Sequence, residues 1–269
     1  MKKYVVLEKK IGETPLHCLE QWRAQHPNYA TTPLTYAGRL DPMASGKLLI
    51  LIGDECKQAK KYQNLDKEYK IEVLLDIGTD TGDLLGLSTP HTQQTKVHTT
   101  HLQQVLKQEI GVYEHPYPAF SSKTVGGKPL FQYALEGTLD TITIPTHQET
   151  IHALQLETPY TFTTGELNMY IQNFLAKVPH STHASKALGA DFRIASVTKA
   201  WQHTLRTKRA FVILPITATV GSGTYMRTLA QRIGTALNTS ACALSIHRTI
   251  IGKYSTIGPF SIWSKKFIS

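Results

Sequence analysis

The run Leu48-Leu49-Ile50-Leu51-Ile52, closed by Gly53 and preceded by the Gly-, Pro- and Ser-containing stretch 38–46, limits what this chain can fold into more than any other feature. A run this short falls far below the roughly 20 apolar residues that a membrane-spanning helix needs. It reads as one buried strand, residues 47–52. A loop anchored at the mouth of such a strand holds its polar side chains in fixed positions. Asp41, in Tyr36-Ala37-Gly38-Arg39-Leu40-Asp41-Pro42, is one of them, and Pro42 restricts its backbone away from helix. Taken alone, an Asp-Pro pair is better explained as a turn aspartate capping nearby N–H groups.

Around that strand the pattern predicts mixed elements. A strand at 4–7 precedes a helix capped by Thr14, with Pro15 at its first position, running to about residue 25. Residues 26–37 read as loop and 54–62 as a short helix. Residues 69–77 read as a strand with Ile71, Val73 and Leu75 on one face, followed by a Gly/Asp/Thr turn at 78–86. Thr99 or Thr100 can cap a helix carrying Leu102, Val105, Leu106 and Ile110, which Gly111 ends. Residues 112–129 read as a long loop, 130–136 as a helix, and 142–144 and 151–156 as strands. Within 160–209, helices are expected at 167–176 and 194–204, joined by a His/Ser/Lys-rich link. A strand at 211–220, a Gly221-Ser222-Gly223 turn, a helix at 224–237 and strands at 241–247 and 252–257 complete the chain. The expectation is a single α/β domain over residues 1–269 with strands and helices mixed, not the regular alternation of a doubly wound sheet.

Lys and Arg number 29 against 20 Asp and Glu, a formal net charge of +9. That excess fits a polyanionic partner, since cations that neutralise phosphates release counterions; it also fits a merely basic protein. Cys18, Cys56 and Cys242 are odd in number and widely spaced, which argues against a disulfide framework or a zinc knuckle. The N-terminus has no signal-peptide apolar region, so a reduced cytoplasmic location is expected, with no membrane association. Stretch 41–48 lacks the leading Gly and closing Ser/Thr of a phosphate-binding loop. Asp76, Asp80 and Asp83 lack the terminal Glu of a calcium loop and read as a solvated turn. No HExxH or GxSxG occurs, and the twelve His read mostly as surface or loop residues. Nothing in the sequence calls for a metal or an organic cofactor.

Three polar stretches beside apolar segments remain. Besides the Asp41 loop, Tyr69 in Lys67-Glu68-Tyr69-Lys70 could offer its ring to a nucleobase or pack a sheet edge. Arg227, in Gly221-Ser222-Gly223-Thr224-Tyr225-Met226-Arg227, lies in the first turn of a helix, where a cation is locally unfavourable and a partner anion is expected; an exposed ion pair is the plainer alternative. In order along the chain, these stretches resemble motifs of the bacterial tRNA pseudouridine-55 synthases, the TruB family. Gly38-Arg39-Leu40-Asp41-Pro42 with Ala44-Ser45-Gly46 resembles the family's Gly-Thr-Leu-Asp-Pro…Ala-Thr-Gly. Lys67-Glu68-Tyr69 with the turn at 78–86 resembles its Lys-x-Tyr strand and acidic turn. Pro118-Ala119-Phe120-Ser121-Ser122-Lys123 with Gly127-Lys128-Pro129-Leu130 resembles its Pro/Ser/Lys loop. Gly223-Thr224-Tyr225-Met226-Arg227-Thr228-Leu229 resembles its Gly-Thr-Tyr-Ile-Arg motif, and Arg248 through Lys253-Tyr254 its closing strands.

The resemblance implies a pseudouridine synthase fold, a central mostly antiparallel mixed sheet flanked by helices and loops. It implies cofactor-free isomerisation of uridine in the tRNA T-arm. Asp41 would act on the sugar as nucleophile or base, Tyr69 would stack on the flipped base, and Arg227 would pair with Asp41 and give the carboxylate a counter-charge. Ile246 would pack on the uracil, Tyr225 and Tyr36 would contact substrate, and Lys123 and Lys128 would meet phosphates. Two departures bear on the choice of RNA. Tyr36 stands where the family usually has His. Arg39 replaces a small residue and makes 38–41 resemble the ribosomal-RNA pseudouridine synthases, which keeps ribosomal RNA as an alternative substrate; a non-catalytic RNA-binding or RNA-folding protein is a separate alternative. Residues 160–209 read as an insertion, the chain as a monomer, and its end soon after Tyr254 as leaving no room for the C-terminal RNA-binding domain of many relatives.

Overall fold

The structure, a computed structural model, describes residues 2–91, 94–95, 97–178, 193–257 and 260–267. Strand β1 (Tyr4–Lys9) leads into helix α1 (Pro15–Ala24). As the sequence predicts, the Thr14 side chain accepts from the His17 N–H, and Pro15 opens the helix. Strand β2 (Leu34–Ala37) lies inside the stretch expected to be loop. Its residues pair with the far end of β3 (Ser45–Ile52), Leu34 opposite Ile52 and Ala37 opposite Leu49. A two-turn 3₁₀ segment (Gly53–Gln58) and helix α2 (Ala59–Gln63) follow where one short helix was expected.

Strand β4 (Asp66–Leu75) starts three residues earlier than its apolar pattern suggests and ends at Asp76, whose φ of 68° breaks the strand. Strands β5 (Ile77–Thr79) and β6 (Ser88–Pro90) form a small separate hairpin. Helix α3 (Thr99–Gln108) begins after His98, with no side-chain cap, so neither Thr99 nor Thr100 plays the expected role, and Ile110 is exposed. Strand β7 (Gly111–Pro116) and the hairpin of β8 (Thr124–Val125) and β9 (Lys128–Pro129) occupy the predicted long loop. Helix α4 (Leu130–Glu136) has the predicted bounds. Strand β10 (Thr146–Leu156) contains the predicted strand at 151–156 and begins five residues before it, whereas residues 142–144, expected to be a strand, form the irregular link after a 3₁₀ turn at Leu139–Thr141.

The described parts of segment 160–209, residues 160–178 and 193–209, are woven into the core. Strand β11 (Tyr160–Thr163) pairs with β12 (Ala210–Val220). Helix α5 (Thr164–Leu175), opened by a Thr163–Glu166 capping box, buries Leu167, Ile171, Phe174 and Leu175. Helix α6 (Ile194–Thr204) buries Val197 and Trp201, and the Trp201 indole N–H donates to the Leu84 carbonyl at 3.1 Å. All of these apolar side chains belong to the same cluster as Ile71, Val73 and Leu229. The link predicted between α5 and α6 lies outside the described residues. Helix α7 (Met226–Ala236) is followed by β13 (Ala241–Ile257), one continuous strand where two were expected, and β14 (Phe260–Phe267).

The principal sheet runs β1-β3-β13-β4-β12-β10-β7, with β2, β11 and β14 added at its sides. Every pairing is antiparallel except β3 with β13, where Ser45 and Gly46 face His247 and Arg248. This confirms the expected mixed α/β fold on a mostly antiparallel sheet. At that parallel junction the strands meet so closely that a Cβ on Gly46, whose φ is +107°, would come within 2.3 Å of the Arg248 carbonyl oxygen. The junction fixes where the Asp41 loop leaves the sheet.

Trp201→Ala should cost about 3–5 kcal/mol of stability in urea unfolding, the usual range for emptying a fully buried aromatic site; a loss under about 1 kcal/mol would mean that α6 does not share the core.

Candidate active site

Asp41 sits on the connection between β2 and β3, and its backbone is held from two sides. Arg248, fully buried on β13, donates from Nε to the Lys47 carbonyl at 2.7 Å, from Nη1 to the Arg39 carbonyl at 3.2 Å and from Nη2 to the Gly38 carbonyl at 3.3 Å. The Pro42 carbonyl accepts from the Gly12 N–H at 2.8 Å. The Asp41 side chain, 42% exposed, projects into open space.

Arg227 meets it there. This guanidinium is only 4% exposed, and its Nε donates to Asp41 Oδ2 at 2.7 Å. Nη1 donates to the Thr81 carbonyl at 2.7 Å and Nη2 to the Phe120 carbonyl at 3.1 Å. Asp83 Oδ2 stands 3.6 Å from Nε. One side chain thus ties together the Asp41 loop, the turn after β5 and the segment after β7. Burial works against the Arg227 charge, but Asp41 and Asp83 outweigh it and hold the guanidinium above its usual range. Burial also pushes the Asp83 carboxyl up, against the pull of Arg227 and of the bonds from Thr81 Oγ1 (2.6 Å) and the Leu85 N–H (2.9 Å). The turn expected to be solvated is therefore partly interior. Asp76 is likewise buried, accepting from Thr95, Thr239 and Arg209.

Asp41 lies between two connected lobes. The first, ≈ 690 Å³, is lined by Tyr69, Ile246, Tyr225, Tyr36 and Arg39. The second, ≈ 610 Å³, is lined by Arg227 and by the apolar side chains of Phe120, Phe131 and Leu85. Six of the other eight residues singled out from the sequence therefore surround Asp41 or bind it. The other two, Lys123 and Lys128, do not line either lobe. The Lys123 ammonium lies over the Tyr117 ring, 4.8 Å from its centroid, and Lys128 is paired with Glu136 and stacked over Tyr133. Both lysines, expected to meet phosphates, thus have local partners outside the two lobes.

Tyr225 precedes α7 and is held by a network that the sequence reading missed. Its N–H donates to Glu149 Oε1 at 3.3 Å, and that oxygen also meets His147 Nε2 at 3.1 Å. Arg232 closes the far side of Glu149 at 3.1 Å. His147, buried rather than on the surface, stacks on Tyr117 at 4.1 Å and meets Tyr225 edge-on at 5.6 Å. Burial, with the nearby Asp41 charge, pushes the Tyr225 phenol up to about 12. The only sequence signal for this network was the pair of His and Glu two residues apart on a strand, which puts both on one face.

Lys67 and Arg248 also line the first lobe and were not singled out. Among the described residues no group of three or more His, Cys, Asp or Glu is placed to hold a metal ion, and the three cysteines are free. No helix is long and apolar enough to cross a membrane among the described residues. Burial, reinforced by Arg248, lowers the Lys67 ammonium to about 7 from 10.5. The unfolded chain therefore binds a proton at this site between pH 7 and 10.5 that the folded chain has released, so stability rises with pH across that window and the full penalty applies below it. Urea unfolding at pH 7 and pH 9.5 should show the wild type gaining more stability than Lys67→Met over that interval; equal gains would contradict the lowered value.

The profile of the TruB family pseudouridylate synthases (N terminal domain) matches residues 28–172, which includes Asp41 and Tyr69 and reaches into segment 160–209. A tRNA pseudouridine synthase B of Deinococcus radiodurans is 27% identical over 227 residues, 84% of this chain and 67% of that protein. One of Psychrobacter arcticus is 28% identical over 230 residues, 80% of this chain, which spans 60% of its length. Among solved structures, a Cbf5-Nop10-Gar1 complex contains a chain that superposes with a TM-score of 0.53 at 15% identity, covering 93% of this chain and 48% of that one, a likeness of fold alone. With more than half of its sequence inside the family profile, this chain belongs to the TruB family of pseudouridylate synthases.

Proposed function

We propose that the protein isomerises uridine to pseudouridine in tRNA, at uridine 55 of the T-loop. The observation that carries this reading is the 2.7 Å contact between the buried Arg227 and the half-exposed Asp41, at the junction of two lobes. The reaction breaks the N1–C1′ bond and forms a C5–C1′ bond, and the proton lost from C5 is balanced by one gained at N1. It needs a carboxylate positioned at the sugar, a surface for the detached base, and exclusion of water that would otherwise capture C1′. Asp41 supplies the carboxylate, as nucleophile or base. Tyr69, 8% exposed beside it, offers a ring on which the base can rest while it turns. Ile246 is adjacent on β13, because its partner on β4, Ile71, lies two residues from Tyr69 on the same face. Tyr225 and Tyr36 close the sides, and exposed Arg39 stands at the rim, where the negative backbone would arrive.

A T-loop presents an irregular backbone, so recognition by shape suits this cleft better than base-by-base readout. The net charge of +9 supports a nucleic-acid partner. We place the activity in the cytoplasm and read the protein as a monomer over residues 1–269.

Asp41→Asn should fold and bind a T-arm RNA with near wild-type affinity while forming no pseudouridine; a variant that still makes the product would remove Asp41 from the chemistry. Mapping pseudouridine in tRNA from cells with and without the gene should show loss at the T-loop uridine alone. An unchanged T-loop and a lost ribosomal-RNA site would transfer the substrate to ribosomal RNA, the reading that Arg39 favours.

A further inference from the structure

Lys67 and Arg248 are an electrostatic anomaly. They are 5% and 0% exposed, both line the cleft beside Asp41, and neither forms an ion pair among the described residues. Buried cations are ordinarily matched by a carboxylate, because an isolated charge away from water is costly. Here the partners are neutral. Lys67 Nζ donates to the Gln63 carbonyl at 2.6 Å and to the Leu65 carbonyl, while Arg248 holds three backbone carbonyls. The two side chains meet at Gly38: a Cβ built there would lie 3.7 Å from Arg248 Nη1 and 3.7 Å from Lys67 Cε, the methylene that carries the ammonium. Their mutual repulsion, added to burial, is what lowers Lys67, with Asp66 offsetting it only in part. An anion entering this corner would relieve both.

The sheet register says which anion. Lys67, Tyr69 and Ile71 alternate along β4 and share one face, and Arg248 lies directly across from Tyr69 on β13. Lys67 is thus two residues, roughly 6.8 Å, along the strand from the ring, a step comparable with that from a nucleobase to the phosphate of its own nucleotide. The Gly221–Gly223 turn comes in from the other side, its Ser222 hydroxyl donating to the same Gln63 carbonyl at 2.7 Å. We propose that Lys67 and Arg248 form a seat for a backbone phosphate flanking the target uridine, so that the nucleotide is gripped by its base at Tyr69 and by its phosphate at Lys67. This rests on the reading of the cleft as an RNA site. It assigns phosphate recognition to two interior residues of the sheet, in place of the outlying Lys123 and Lys128.

The test uses T-arm stem-loops carrying a single uncharged methylphosphonate at one phosphate or another, and single-turnover pseudouridine formation followed against protein concentration. A charge-assisted contact of this kind corresponds to roughly 10- to 100-fold in half-saturating concentration. The neutral linkage beside the target uridine should produce that loss in the wild type. Lys67→Met should produce it with the unmodified RNA, the two together should add little more, and Lys67→Arg should recover part of it. Independent, multiplying losses, or a Lys67→Met effect confined to the limiting rate, would overturn the proposal. Should Lys67→Met not fold, the wild-type series decides: a penalty concentrated at one flanking phosphate supports the seat, and an even small penalty at every phosphate overturns it. Wild-type protein that neither binds nor modifies the unmodified RNA would instead overturn the RNA reading, and this inference with it.

Discussion

A single buried guanidinium organises this protein's cleft. Arg227 has four oxygen partners from three separate stretches of chain: Asp41, Asp83, and the carbonyls of Thr81 and Phe120. It also begins a helix, where the backbone dipole disfavours a cation, so its buried charge depends on those partners. Asp83 is as buried as Arg227 itself, so removing the guanidinium leaves an uncompensated interior carboxylate, a cost of about 3–5 kcal/mol. The same interaction that holds the loops together gives the carboxylate at the centre of the cleft a defined orientation. Stability and chemistry are coupled at this residue.

The sheet provides the frame for that interaction. The parallel contact of β3 with β13 and the antiparallel contact of β13 with β4 bring Gly46, Arg248 and Tyr69 to one level of the sheet. From that level Arg248 reaches the carbonyls of Gly38 and Arg39, which fixes the loop before Asp41. Register shifts in β13 near Ser245 and Ile250 let one strand of 17 residues follow its partners without a break, and the bend they introduce replaces the gap expected near residue 250. Opposite the frame, Glu149 anchors the start of α7 through Tyr225, so the Arg227 helix is set by β10 as well as by its ionic partners.

Much of this was legible in the sequence because it is local. The Thr14 cap, the bounds of α4 and α6, and the apolar run of β3 follow from neighbouring residues. Asp41, Tyr69 and Arg227 were found by the order of motifs, not by any property of each alone. What could not be read depends on partners distant in the chain. Strands β2 and β7 are sheet-side strands with mostly polar or half-buried residues, and only their hydrogen-bonded neighbours make them strands. Asp76 and Asp83 looked like solvated turn residues because Arg209 and Arg227, which accompany them indoors, lie more than 130 residues away. Lys67 carried no sequence signal of burial, since only the closure of β12 and β13 around β4 removes it from water.

The central claim is that the fork of Arg227, and not merely its charge, sets the geometry of Asp41. Single-turnover pseudouridine formation by Arg227→Lys tests it most directly, because lysine keeps the charge while losing the fixed array of donors. Misplacing a reacting group by about 1 Å costs on the order of 10²-fold in rate, so a loss of that size, in a variant whose urea midpoint shows that it is folded, is the predicted result. A folded Arg227→Lys protein with a near wild-type rate would contradict the account.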